Sequence, residues 1–172
     1  SDPIMPKFPI PAEFGSEEDY AERFSEEELR REFNTADKPN NFDRLGGFEK
    51  VLRIKFEADY LQSLVYEGGR RRWGDPIPPE TLERLDFELN VIKTMGFPGY
   101  FLIVNDYIAN ARRMGVWVGP GRGSGAGSSL TLVDLLLVVD REENGADSDN
   151  EEADGDRMTG DGHEVAAVEV HE

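Results

Sequence analysis

The sequence predicts an α+β domain that is rich in helix and is followed by an acidic, disordered tail. Three observations predict it. Apolar residues recur at helical spacing through residues 48–66 and 82–114. A short β-branched and aromatic run at 116–118 precedes a glycine-rich turn. Residues 140–162 hold hardly any apolar side chains, so they cannot bury enough surface to fold.

The predicted organisation therefore has three parts. Residues 1–15 are an extended linker, because prolines at 3, 6, 9 and 11 forbid a helix there. Residues 16–139 form the helix-rich domain, and residues 140–172 form the tail.

Composition excludes several classes of protein. The 172 residues suffice for one domain of ordinary size. There is no cysteine, which excludes disulfides, and the two histidines, His163 and His171, lie far from the predicted helices. No apolar run is long enough for a membrane span. The net charge of −17 argues against simple nucleic-acid binding, but residues 141–172 alone hold twelve acidic residues against two arginines.

Two short helices are predicted near the N-terminus. Ser16, followed by three acidic residues, is typical of a helix N-cap. Ser25 with Glu28 three positions later is typical of a capping box. Residues 34–47, with their asparagines and paired glycines, predict a loop or a variable insertion.

A longer helix is predicted over residues 48–66. Its buried face is predicted from residues at three- and four-residue spacing: Val51, Ile54, Ala58, Leu61 and Val65. Residues 68–74 then predict a solvated helix end with one anchoring tryptophan. An alternative is that their three arginines contact a phosphate backbone.

A helical pair follows, from residue 78 to residue 114. Pro78 and Pro79 predict the start of its first helix, whose buried stripe comprises Leu82, Leu85, Leu89 and Ile92. Gly96 is predicted to end it and residues 98–99 to form the turn. The second helix is predicted over about 100–114, where Gly115 stops it.

The most informative segment is the glycine loop, residues 119–129, which holds five glycines, three serines and Arg122. Glycines let backbone N–H groups converge on an oxyanion, and a following helix N-terminus favours negative charge. Ser124 and Ser128 can donate hydroxyl hydrogen bonds, while Arg122 can pair with a phosphate. The pattern predicts a phosphate-binding site; the alternative is a flexible loop without a ligand.

Two other phosphate motifs were compared with this loop. A P-loop requires a lysine after its last glycine, and this loop has none. A dinucleotide-binding fingerprint fits Gly121, Gly123 and Ala126, with Asp140 at the position of the ribose-binding acid. The stretch between them is short for a crossover helix, so a nucleotide-phosphate or dinucleotide-binding module remains the alternative function.

Residues 83–104, 106–108 and 118–128 closely resemble the alpha subunit of bacterial DNA polymerase III, a C-family replicative DNA polymerase. Residues 6–11 are similar, less sharply, to the segment that joins the PHP domain of that family to its palm. The resemblance extends over roughly residues 3–129. It implies that residues 16–139 are the N-terminal part of a nucleotidyltransferase-type palm, similar to that of polymerase beta.

The resemblance also implies a function for the glycine loop, which in this family holds the triphosphate of the incoming nucleotide. The corresponding residues are Gly121, Arg122, Gly123, Ser124, Gly127 and Ser128. The implied partners are a deoxynucleoside triphosphate, primer-template DNA and other replisome subunits, in the cytoplasm. The family reaction is template-directed nucleotidyl transfer to a primer 3′-hydroxyl.

The family's metal site has no counterpart in the sequence. In the family, aspartates of a Pro-Asp-x-Asp-x-Asp strand hold two Mg²⁺ ions, and no such motif occurs here. Asp147, Asp149, Asp154 and Asp156 have the spacing but lie in a polar run typical of a solvated tail. We therefore expect no catalytic or metal-binding residue in this chain and no activity on its own. The change of pattern near Ser129 suggests a truncated or frame-shifted reading.

Overall fold

The computed structural model describes residues 6–116, which are helical with connecting turns. This confirms a helix-rich domain, and within the described range there is no strand. The predicted acidic tail and residues 117–118 of the predicted strand lie outside the described residues, so the sheet and the palm fold stay predictions. Six helices are described: α1 Glu17–Arg23, α2 Glu26–Phe33, α3 Asn41–Arg44, α4 Phe48–Trp73, α5 Pro79–Met95 and α6 Pro98–Arg113.

The first two helices begin at the positions that the capping residues Ser16 and Ser25 predict. The Ser16 hydroxyl accepts a hydrogen bond from the backbone N–H of Asp19 at 3.2 Å, before α1. At α2, the N–H of Glu28 donates to the Ser25 hydroxyl, and the Glu28 carboxylate accepts from the Ser25 N–H at 2.8 Å. These bonds satisfy N–H groups that have no partner within the helix, which confirms both predicted starts.

Residues 34–47, predicted as a loop or a variable insertion, are not irregular throughout, and the possibility of an insertion stays a prediction. The segment contains the short helix α3, in which Asn41 and Phe42 are buried. Composition suggested a loop because asparagine and glycine favour turns. Here, however, the amide of Asn41 finds hydrogen-bond partners on two other helices, so the polar residue is part of the interior.

The prediction that the long helix ends near Tyr66 was wrong, because α4 continues to Trp73 through Gly68 and Gly69. The two glycines are buried packing positions. A Cβ atom on Gly69 would lie 2.8 Å from Cδ1 of Ile77, so a larger residue here would require that side chain to shift. The packing of Ile77 against Gly69 offsets the cost of about 1 kcal/mol for a glycine inside a helix.

The helical pair α5–α6 matches its predicted boundaries closely. Helix α5 begins at Pro79 and ends at Gly96, whose φ of 83° is the left-handed conformation that glycine adopts without strain. The prediction that residues 98–99 form a turn was wrong: α6 begins at Pro98, because proline is well suited to the first helical position. In the predicted stripe of α5, three residues are buried and Leu82 is half-buried.

Helix α4 joins two hydrophobic clusters. Its C-terminal half packs against α5 and α6, and this cluster contains Leu61, Val65, Leu85, Leu89, Ile92 and Leu102. Its N-terminal half packs against the first three helices, and this cluster contains Tyr20, Leu29, Phe33, Phe42, Val51, Leu52 and Phe56. Because one helix belongs to both clusters, α4 fixes the α5–α6 pair relative to the N-terminal helices.

Candidate nucleotide-binding site

The α5–α6 pair leads the chain to the start of the predicted glycine loop. Helix α6 ends at Arg113, Gly115 follows with a φ of 73°, and Val116 is exposed three residues before the loop. The predicted site residues, Gly121, Arg122, Gly123, Ser124, Gly127 and Ser128, all lie outside the described residues. Their role in phosphate binding therefore stays a prediction. The structure describes the chain as far as Val116, three residues before the loop.

A buried ionic cluster anchors the N-terminal end of α6. The guanidinium of Arg53 donates from Nε to Glu57 at 2.7 Å and from Nη1 to Glu17 at 2.9 Å. Its other nitrogen donates to the carbonyl of Phe8, which ties the N-terminal extended segment to α4. Burial raises the pKa of Glu57, and the hydrogen bond from Arg53 opposes that rise. The cluster thus joins the N-terminal segment, α1 and α4 beside α6.

Gly99 is the position at which α6 meets this cluster. A Cβ atom built there would lie 2.5 Å from Oε2 of Glu57, so α6 approaches the carboxylate as closely as its backbone allows. Since Arg53 holds that carboxylate, it cannot move aside without losing a charge-assisted hydrogen bond.

We expect Gly99→Ala to lower the free energy of unfolding by about 1–2 kcal/mol through this collision. In a Glu57→Ala background the same change should cost far less, because the colliding atoms are gone. Urea unfolding of the four proteins of this double-mutant cycle measures the coupling. Additive effects of the two substitutions would contradict the proposed contact.

Two cations lie at the C-terminal end of α6, and five residues separate Arg113 from the predicted loop. Arg112 and Arg113 occupy the last turn of α6, where the partial negative charge of the helix end favours them. Neither makes an ion pair with a carboxylate of residues 6–116. The last turn of α6 therefore carries two positive charges that no carboxylate of residues 6–116 neutralises.

A second feature of the helical pair is an exposed apolar stripe on α5, formed by Phe87, Val91 and Met95. Their exposed fractions are 70%, 37% and 43%. The apolar spacing of residues 82, 85, 89 and 92 predicts only the buried face of α5 and not this exposed one. The four-residue spacing of 87, 91 and 95 was the available signal, since it defines a second helical stripe.

The described residues do not supply a metal site. Within the helical part of the chain, no group of three acidic, histidine or cysteine side chains is arranged to hold an ion. The Mg²⁺ implied by the resemblance therefore has no ligand set among residues 6–116, and we assign no step to it. In the same part of the chain, every helix is too short or too polar to cross a membrane.

Comparison with known proteins identifies the segment around this site. The family described as the bacterial DNA polymerase III alpha NTPase domain matches residues 59–139, which include α5, α6 and the glycine loop. DNA polymerase III subunit alpha of Escherichia coli O6:H1 is 39% identical over 153 residues, covering 78% of this chain and 13% of that protein. No solved structure matches the chain.

Two other relatives have the same name, and their matches to this chain are shorter but have higher identity. The Caulobacter vibrioides protein is 62% identical over 87 residues, covering 46% of this chain and 8% of the relative. The Neisseria meningitidis serogroup A protein is 52% identical over 90 residues, covering 45% and 8%. The chain thus spans 8–13% of the length of these three curated relatives.

Proposed function

The chain belongs to the bacterial DNA polymerase III alpha family, since the Escherichia coli relative is 39% identical over 78% of this chain. We propose that it is a segment of a replicative DNA-directed DNA polymerase whose glycine loop binds a triphosphate. The ligand is the deoxynucleoside triphosphate that the family adds to a primer 3′-hydroxyl. The single observation that carries the proposal is the continuous match across the helical pair and the loop.

The described helices support this role by what they present to the loop. Helix α6 is fixed at its N-terminal end by the Arg53–Glu57 cluster and in its middle by Leu102, which is fully buried. Its last turn carries two arginines, five residues before the loop in the sequence. A rigid support of this kind reduces the conformational entropy that a glycine-rich segment loses when it closes around phosphates.

Within the loop, we assign the phosphate contacts to Arg122, Ser124 and Ser128 and to the backbone N–H groups of Gly121, Gly123 and Gly127. The guanidinium can pair with a phosphate through two hydrogen bonds, and the hydroxyls can each donate one. The sequence has no Pro-Asp-x-Asp-x-Asp motif. We therefore further propose that the chain binds nucleotide without extending a primer by itself, and that primer-template DNA and replisome subunits are partners of the longer polymerase.

Titration with a deoxynucleoside triphosphate, with and without Mg²⁺, tests the proposal by heteronuclear NMR of the full chain. We expect saturable shifts in the amides of residues 119–129. Arg122→Ala should weaken the binding at least about tenfold, the loss of roughly 1.4 kcal/mol expected for a charge-assisted bond to phosphate. Arg31→Ala, which removes an equally charged but exposed side chain from α2, should leave it unchanged.

Other outcomes separate the alternatives. If a dinucleotide shifts the amides of the same loop at a lower concentration than the triphosphate does, the dinucleotide-binding module is favoured. An absence of shifts with any nucleotide would overturn the proposed binding role. Primer extension by the purified chain, above that of a Ser124→Ala/Ser128→Ala variant, would contradict the proposed lack of activity.

A further inference from the structure

A polar cleft lies between α1 and the middle of α4, away from the glycine loop in sequence. It is a shallow depression that opens widely to solvent, with a volume of about 690 Å³. Helix α1 contributes Arg23, and α4 contributes Lys55, Asp59, Tyr66 and Arg70. The family match begins at residue 59, so the α1 wall is outside the matched range.

Of the three cations that line this cleft, one makes ion pairs with carboxylates of residues 6–116 and two do not. Lys55 makes ion pairs with Glu32 at 2.9 Å and with Asp59 at 3.2 Å, so its charge is already balanced. Arg23 and Arg70 are both exposed, and neither forms an ion pair within residues 6–116. The single carboxylate of the lining, Asp59, is occupied by Lys55 and by the hydroxyl of Tyr20 at 2.8 Å. The cleft therefore offers two guanidinium groups to an anion.

Aromatic rings lie beside these guanidinium groups. The Arg23 guanidinium carbon lies 5.1 Å from the ring centre of Tyr20 and 5.3 Å from that of Phe24. On the other wall, Tyr66 donates its hydroxyl hydrogen to Asp86 and accepts from Gln62, which fixes the ring. Burial, followed by the hydrogen bond to Asp86, raises the pKa of Tyr66 to about 12, so the ring stays neutral at physiological pH.

From this arrangement we propose that the α1–α4 cleft binds a nucleotide unit of single-stranded DNA, with Arg23 and Arg70 on the phosphates and Phe24 and Tyr66 against the base. Guanidinium groups beside aromatic rings are the combination by which proteins hold single strands without reading their sequence. The choice of DNA as ligand rests on the proposed polymerase function, and no residue of the glycine loop is among the described residues that line the cleft.

Fluorescence anisotropy of a labelled oligodeoxythymidylate with the full chain tests this inference. Arg23→Ala/Arg70→Ala should weaken binding about tenfold at low salt and reduce the slope of log affinity against log salt, since fewer phosphates are neutralised. Arg23→Lys/Arg70→Lys should retain most of the slope. Both arginines are exposed, so we expect unchanged circular dichroism in each variant.

The matched control removes two cations outside the cleft, in Arg31→Ala/Lys38→Ala, and should change the affinity less than twofold, as expected for general charge effects alone. Equal losses in the control and cleft variants, or no oligonucleotide binding at all, would overturn the proposal. Competition by thymidine monophosphate at the same concentration as the strand would assign the cleft to free nucleotide instead.

Arg122→Ala should leave strand binding intact, so failure of the glycine-loop proposal is distinguished from failure of this one.

Discussion

Replacement of Asn41 by alanine should lower the free energy of unfolding by about 3 kcal/mol. Asn41 is 1% exposed. Its amide nitrogen donates to the carbonyl of Phe33 at 3.1 Å and to that of Thr94 at 2.8 Å. The side chain therefore joins the end of α2 to the end of α5.

Alanine at position 41 removes the donor of both carbonyls, and that of Thr94 then keeps only a long hydrogen bond from Nη2 of Arg44 at 3.5 Å. The oxygen of the Asn41 side chain also accepts from Nε of Arg44 at 3.0 Å, so that guanidinium loses a partner too. A buried carbonyl without a hydrogen bond costs more than the bond itself contributes, because water does not replace the missing donor. Aspartate fits the space but cannot donate when ionised, so Asn41→Asp should be at least as destabilising at neutral pH.

Chemical unfolding of the two variants measures the effect, and the neighbouring Asn40 provides the control. Asn40 is exposed and its side chain makes no capping hydrogen bond before α3. We expect Asn40→Ala to change the free energy of unfolding by less than about 0.5 kcal/mol, as for other surface substitutions. An equal effect at positions 40 and 41 would show that the two carbonyls do not depend on Asn41.

Local signals in the sequence predicted the helix boundaries well. Ser16, Ser25, Pro79 and Gly96 act on backbone groups within a few residues of themselves, so their effect can be read from the chain alone. The same reasoning fails where distant segments decide the conformation. Gly69 is a helix breaker by composition but sits inside α4, because Ile77 packs against it.

The candidate sites show the same division. The glycine loop was predicted from its own residues, because phosphate binding depends on a contiguous run of N–H donors. The α1–α4 cleft could not be predicted, since Arg23 and Arg70 are 47 positions apart and meet only when α1 packs on α4. The three arginines at residues 70–72 were noted as possible phosphate contacts, but nothing local indicated which of them faces a cleft.

The second large effect is expected at Glu32, which joins three helices through one carboxylate. Its Oε1 atom accepts from Lys55 on α4 at 2.9 Å and from Lys93 on α5 at 2.7 Å. Both lysines are largely buried, with 15% and 17% of their side chains exposed. Glu32→Gln removes the only negative charge that Lys93 contacts within residues 6–116. We expect a loss of about 2 kcal/mol at pH 7, because an ammonium group is left buried without its counter-charge.

The pH dependence of this loss is a sharper test than its size. Burial by itself would raise the pKa of Glu32, but the hydrogen bonds from Lys93 and Lys55 outweigh it and hold the pKa below the ordinary value of about 4.5. A carboxyl group whose pKa is lower in the folded state stabilises the fold at pH values above its unfolded pKa. This contribution is lost as the pH falls through the folded pKa. The difference between the wild type and Glu32→Gln should therefore be constant near neutral pH and shrink as the solution is acidified below about pH 4.5.

Urea unfolding of both proteins between about pH 3 and pH 7 measures this difference. Glu57, whose pKa burial raises, contributes with the opposite sign, but it is present in both proteins and cancels from the comparison. Glu27→Gln is the control: Glu27 is 85% exposed and pairs with Arg31 at 3.4 Å, so its loss should cost less than about 0.5 kcal/mol. A Glu32→Gln penalty that persists undiminished at pH 3 would mean that the amide disturbs packing. A penalty that fades with protonation would show that the carboxylate charge holds α2 against α4 and α5.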